Sequence, residues 1–143
     1  MSALARTPHS RVADTSIVVS ALEGLVAGPS NGAVVTFEGT VREHDHGRSV
    51  LSLRYEAHPT AASVLGELVD AVARRHPLAV LAAEHRVGDL QVGERAFVVV
   101  AAAAHRSEAF DACRDLVDTV KEGLPVWKLQ VFADGTQEWV NCA

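Results

Sequence analysis

The cations of this chain gather in one stretch, HRSEAFDACRDLVDTVKEGLPVWK (105–128). It opens with His105-Arg106, runs on as one amphipathic segment, and ends with Lys121 and Lys128 on either side of a Gly-Leu-Pro break. Ammonium groups sharing a partly dry pocket lower each other's proton affinity, which makes an amine usable as acid, base or nucleophile near neutral pH. An arginine at a helix start can clamp phosphate or carboxylate beside unpaired N–H groups. The chemistry this set supports is the binding and activation of small anions.

Each residue also has a purely structural reading, and spacing alone does not choose. At about 100° per residue, Lys121 falls within about 40° of the Phe110–Val117 line. That is the margin of the apolar face, where the helix C-terminal dipole and a bed for the lysine stem also favour a cation. Strand alternation puts Val126, Lys128, Gln130 and Phe132 on one face and Trp127, Leu129 and Val131 on the other. His105-Arg106 either holds an anion or ties the helix start to a neighbouring loop. His85-Arg86, followed by Gly88-Asp89, reads as structural. Arg42 ends the segment carrying Phe37 and Gly39, and equally fits an edge charge. His44-Asp45-His46 offers two imidazoles and a carboxylate, but no third His or Cys stands at a ligand spacing. A solvated loop suits it better, so no metal is expected. There is no G-x-S-x-G, Walker A, G-x-G-x-x-G or EF-hand pattern.

The elements that must position these side chains follow from patterning. Residues 1–14 are expected as a flexible N-terminal arm with a short strand near Val12, and 15–143 as one catalytic domain. Val18, Ala21, Leu22, Leu25 and Val26 have helical spacing, with Thr15 or Ser16 as cap. GAVVTFEGTVRE reads as a strand, with Gly39 marking a bulge or a close backbone approach. SVLSLRYEAH alternates, with Leu51, Leu53 and Tyr55 on one face, and is expected to form an antiparallel hairpin with the preceding strand. A helix follows Pro59, carries Leu65, Leu68, Val69 and Val72 inward, and ends at Pro77. LAVLAAEHRVG is a strand and 89–93 a turn. ERAFVVVAAAA is apolar on both faces and should be central. The next helix turns Phe110, Cys113, Leu116, Val117 and Val120 inward and ends at a left-handed Gly123. The chain closes in a hairpin with Asp134-Gly135 as a type I′ turn. The order, roughly αββαββαββ, predicts an α+β fold with a mostly antiparallel sheet and flanking helices.

With 143 residues and 48% of them apolar, one domain can bury a core without disulfides or structural metal. Cys113 and Cys142 form no C-x-x-C pattern. A net charge of −5 argues against non-specific nucleic-acid binding. No apolar run is long enough to span a membrane, and the first residues lack a signal-peptide core. The expected location is the cytoplasm.

Several stretches, in order, resemble the large, catalytic subunit of molybdopterin synthase. They are Gly32-Ala33, FEGTVR (37–42), LRYEA (53–57), HRVGDLQVGE (85–94), HRSEAF (105–110), VKEGLPVWK (120–128) and D-G-T-x-E-W. The resemblance covers roughly residues 30–140, and the two-lysine segment is its most diagnostic part. It implies an α/β-hammerhead fold and a homodimer. It also implies a small ubiquitin-like sulfur-carrier subunit on each protomer, whose Gly-Gly C-terminus carries a thiocarboxylate. The implied substrate is cyclic pyranopterin monophosphate, converted by two sulfur transfers into the dithiolene of molybdopterin, with no cofactor. By motif, Lys121 is the principal catalytic lysine and Lys128 the second. Arg42, His105 and Arg106 bind substrate, the His-Arg pair serving the partner protomer's site, and Phe37 shapes the pocket. A cationic pocket suits two anionic reactants despite the acidic total.

One position departs from the family pattern. Gln130 stands where a glutamate is usual, on the strand face of Lys128, and a neutral amide cannot offset that lysine's charge as a carboxylate would. Two other readings remain at this point. One is a non-catalytic module binding the C-terminal tail of a ubiquitin-like carrier, which would need fewer cations. The other is a metal-dependent enzyme using His44, His46 and His105.

Overall fold

A computed structural model describes residues 7–141; Cys142 and the first six residues of the expected arm lie outside the described residues. The elements are β1 (His9–Ala13), α1 (Val19–Val26), β2 (Ala33–Thr40), β3 (His44–Asp45), β4 (Arg48–Ala57), α2 (Ala61–Arg75), β5 (Val80–Arg86), β6 (Gly88–Gln91), β7 (Arg95–Ala103), α3 (Arg106–Gly123), β8 (Val126–Phe132) and β9 (Gln137–Asn141). A four-stranded sheet runs β1-β5-β7-β2, and a second sheet runs β3-β4-β8-β9 with β6 also paired to β4. Among these ladders β1–β5 is parallel and the others are antiparallel. The architecture is α+β, as the patterning predicts. The short strand expected near Val12 is present as His9–Ala13, which pairs in parallel with Ala82–Arg86 at the edge of the sheet.

The first sheet is organised around β7, which has β5 on one side and β2 on the other. Its alternation sends Phe97, Val99 and Ala101 into the core shared with α2 and α3. Val98, Val100 and Ala102 pack in the core beneath α1. Leu65 of α2 and Leu116 of α3 are fully buried, which contributes about 1.5–3 kcal/mol each. The two helices are clamped together by Asp115. It accepts two 2.9 Å bonds from Arg75, contacts His76 Nε2 at 2.8 Å and accepts the Thr119 hydroxyl at 3.0 Å.

Several local expectations are corrected. β2 does not form a hairpin with β4; it fills the open edge of β7, and β4 pairs with β6 and β8 instead. The bulge expected at Gly39 is present, as a register shift between Gly39 and Thr40 within the β2–β7 ladder. A second bulge between Val50 and Ser52 rotates β4, so Val50 enters the core and Leu51 faces outward. The expected turn at 89–93 contains β6. Val18 is the N-cap of α1, without a side-chain bond, and Leu25 is exposed. Helix α3 runs through Gly123 and ends on an extended Leu124. Asp134-Gly135 is not a type I′ turn. Gly135 alone is left-handed, and its N–H donates to Phe132 O at 3.0 Å in a three-residue loop. The two-residue turn with both φ positive is His46-Gly47 (φ 50° and 77°), which folds β3 onto β4.

Candidate active site

Arg42 follows β2, Asp45 ends β3, Tyr55 lies on β4, and Lys128 and Gln130 lie on β8. Together they line a narrow polar cleft of about 50 Å³. Antiparallel register places Tyr55 opposite Lys128 and Leu53 opposite Gln130. The expected face of β8 is observed, with Val126, Gln130 and Phe132 buried and Lys128 half-buried. Asp45 accepts a hydrogen bond from Arg42 Nη2 at 3.3 Å and lies 3.2 Å from His46 Nδ1. Burial pushes its carboxyl up. Hydrogen bonds from Gln130 and His46, with the charges of His46 and Lys128, outweigh burial and hold it below the ordinary value. The cleft therefore contains a carboxylate even though position 130 is an amide.

Lys121 lies in the last turn of α3 and is exposed. The expected stripe explains this. Phe110 shares it and is 59% exposed, because Ala109, Ala112, Cys113 and Leu116 take the buried face instead. The Lys121 charge is nonetheless felt by His85 of β5. That imidazole is buried, its Nδ1–H donates to Arg86 O at 2.8 Å, and its Nε2 has no partner among the described residues. It stacks on Phe97 at 5.6 Å and meets Tyr55 edge-on at 5.0 Å. Burial first, and the Lys121 charge after it, push His85 down to about 4 against the opposing Arg86 carbonyl. The ring is therefore neutral at physiological pH. Tyr55 and His85 thus link the Lys128 cleft to the end of α3.

His105 and Arg106 lie elsewhere. They line an open cleft of about 540 Å³ with Gly32, Ala33, Ala104 and Ser107. Gly32 is required there, since a Cβ would stand 2.7 Å from the Ala104 carbonyl oxygen. Arg106 opens α3 and Lys121 lies in its last turn. At 1.5 Å per residue they are about 22 Å apart along the axis. Phe37 is edge-on to Phe97 at 5.9 Å. It lines a third groove, of about 300 Å³, with Phe110, Cys113 and Val117. Burial pushes the Cys113 thiol up to about 11, against a backbone hydrogen bond from Phe37, so it is no ready nucleophile.

The fold thus gathers Arg42, Lys128 and Gln130; Lys121 does not line that cleft, and its charge acts on His85 behind Tyr55. Within one chain the fold does not bring His105, Arg106 or Phe37 to that cleft. Sequence reasoning missed Asp45, Tyr55 and His85 as parts of the site. The alternation of 49–58 already put Tyr55 on an inward face, whereas Asp45 needed the His46-Gly47 turn to be recognised. His44 and His46 belong to the β3–β4 hairpin and His105 to the distant cleft. Among the described residues no group of three or more His, Cys, Asp or Glu side chains converges as a metal site. Among them, too, no helix is long and apolar enough to cross a membrane.

Residues 12–123 match the family model described as "MoaE protein". The chain is 38% identical over 139 residues to molybdopterin synthase catalytic subunit 1 of Mycobacterium tuberculosis, covering 94% of this chain and 91% of that protein. It is 39% identical over 115 residues to the molybdopterin synthase catalytic subunit of Thermoplasma volcanium, covering 80% and 84%. Among solved structures, molybdopterin synthase from Staphylococcus aureus superposes with a TM-score of 0.85 at 28% identity, over 91% of this chain and 95% of that one. A complex of subunits 1 and 2 of molybdopterin-converting factor from Helicobacter pylori has a chain with the same fold (TM-score 0.72, 17% identity, 92% and 88% covered).

Proposed function

This chain belongs to the MoaE protein family, and from that premise we propose that it is the catalytic subunit of a molybdopterin synthase. The reaction moves sulfur from the thiocarboxylated C-terminus of a small carrier subunit to cyclic pyranopterin monophosphate, building the dithiolene of molybdopterin. The observation that supports the proposal is the convergence of Arg42 and Lys128 in one cleft; Lys121 is outside its lining, and its charge acts on His85, the neighbour of Tyr55.

Both reactants are anions, so the cations bind them and hold them together, turning an encounter of separate molecules into an oriented one. The thiocarboxylate sulfur attacks an activated carbon of the precursor, forming a C–S bond as that carbon's C–O bond breaks and the displaced oxygen leaves with a proton. Water then cleaves the acyl–sulfur bond, leaving sulfur on the pterin and a carboxylate on the carrier. A second carrier repeats the sequence. Lys121 stabilises the negative charge that develops, or transfers a proton, and Lys128 is the second catalytic lysine. Arg42 and Gln130 contact substrate.

A cavity of about 50 Å³ is too small for a pterin; small-molecule sites usually enclose about 300–1,000 Å³. The cleft at His105 and Arg106 has that volume but lies at the far end of α3. A homodimer resolves the mismatch if His105 and Arg106 of one protomer complete the lysine cleft of the other. Phe37 then shapes the wall between them. The small carrier docks on each protomer, making a heterotetramer, and the assembly works in the cytoplasm. The test is incubation of the purified protein with thiocarboxylated carrier and precursor. Dithiolene product supports the proposal, and its absence with a competent carrier overturns it.

A further inference from the structure

We propose that Asp45 is a positioning residue for Lys128, held in place by the Gln130 amide, so that the carboxylate of this site comes from the β3–β4 hairpin instead of β8. This deepens the sulfur-transfer reading and rests on it.

Three independent features place Asp45. The His46-Gly47 turn, with both φ values positive, fixes the hairpin and pairs Asp45 with Arg48. Such a two-residue turn leaves little freedom in register. The Asp45 side chain is 15% exposed and lines the same cleft as Lys128. Gln130 is 3% exposed, and its Oε1 has no partner among the described residues. Gln130 lines the same cleft as Asp45, and its amide N–H is the group that lowers the Asp45 carboxyl, against burial, as a hydrogen-bond donor. A buried amide with neither end bonded is destabilising, so the donor side of Gln130 has reason to face the carboxylate.

The arrangement answers a problem of like charges. Arg42 and Lys128 line the same cleft, and Lys121 lies beyond the Tyr55–His85 pair. Asp45 meets Arg42 at 3.3 Å and lies within the field of Lys128. A carboxylate in this cleft offsets the repulsion between Arg42 and Lys128 and attracts the Lys128 ammonium toward the hairpin side. The family pattern puts a glutamate at the position of Gln130. In this chain position 130 is an amide, and the acid of the cleft, Asp45, comes from the β3–β4 hairpin instead.

Three variants test this: Asp45→Asn, Gln130→Glu and the double exchange D45N/Q130E. The first removes the acid. The second sets two carboxylates side by side. The third restores one acid and one amide in exchanged positions. Each single variant is expected to lose about tenfold in kcat with KM little changed, and the double to return to within about threefold of wild type. A merely structural role would not give reciprocal rescue. A second readout needs no turnover: the ¹³C titration of the Asp45 carboxyl in the folded protein, in wild type, Gln130→Leu and Lys128→Met. Its midpoint should rise in both variants. Wild-type turnover by Asp45→Asn, a double no better than the singles, or an Asp45 titration unmoved by Gln130→Leu would each overturn the proposal. If wild type itself makes no dithiolene, the sulfur-transfer reading fails, and the carboxyl titration still decides the Asp45–Gln130–Lys128 contact.

Discussion

Arg106 and Lys121 stand at opposite ends of one helix, about 22 Å apart along its axis. Both belong to motifs that the family resemblance assigns to substrate and catalysis, yet a rigid helix keeps them from meeting within one chain. The segment 105–128 therefore serves two sites if two protomers pair, with its N-terminal end facing the neighbour's cleft and its C-terminal end its own.

Lys121→Ala should lower dithiolene formation by at least about 100-fold, the usual scale for removing a group that moves a proton or stabilises charge. The fold should survive, because Lys121 is exposed and Val120 and Leu116 carry the packing. Circular dichroism and a thermal melt check the second point and turnover the first. Wild-type turnover by a folded variant would remove Lys121 from the mechanism.

His85 gives the protein a pH dependence of stability that can be measured without substrate. Its folded value of about 4 lies below the ordinary 6.5. The unfolded chain therefore binds a proton more readily, and stability falls as pH drops from about 6.5 to about 4. The loss amounts to about 3 kcal/mol for a shift of about 2.5 units. His85→Gln should flatten the unfolding free energy across that window, as read by urea titrations at several pH values. A slope that persists in the variant would mean that other groups produce it.

Asp115 acts in a separate, more acidic window. The Arg75 hydrogen bonds, with His76 and Thr119 helping against burial, hold its carboxyl down at about 2. Its stabilising contribution is complete above about 3.8 and is lost as pH falls toward 2. Asp115→Ala should destabilise the protein by about 1–2 kcal/mol at neutral pH. The cost should shrink below pH 3, because the unfolded chain then gains the proton that the folded carboxylate still resists. Denaturant midpoints at pH 7 and pH 2.5 make the comparison.

Much of this site was readable from short-range pattern. β7 is apolar on both faces, so its central place followed, and the alternation of 126–132 put Lys128 and Gln130 together. Long-range pairing was not readable in that way. Nothing local told β2 to join β7 instead of β4, because the open edge of β7 is a property of the assembled sheet. The bulge that turns Leu51 out and Val50 in is likewise set by pairing with β8. Phe110 misled the helical wheel because the sheet accepts the small side chains Ala109 and Ala112, leaving the larger ring at the rim. Asp45 was hidden between two histidines whose obvious reading was a solvated loop. Only the left-handed His46-Gly47 turn brings it into the cleft that Lys128 lines.

The most direct test of the two-protomer site is complementation between Arg106→Ala and Lys121→Ala. Each should be inactive alone as a homodimer. Mixed and allowed to exchange protomers, half of the dimers are hybrids. In each hybrid one site has both residues intact and the other has neither, so about a quarter of wild-type dithiolene formation should return. If Arg106 and Lys121 served the same site within one chain, no hybrid would contain an intact pair. The mixture would then stay inactive after exchange, and the account would be contradicted.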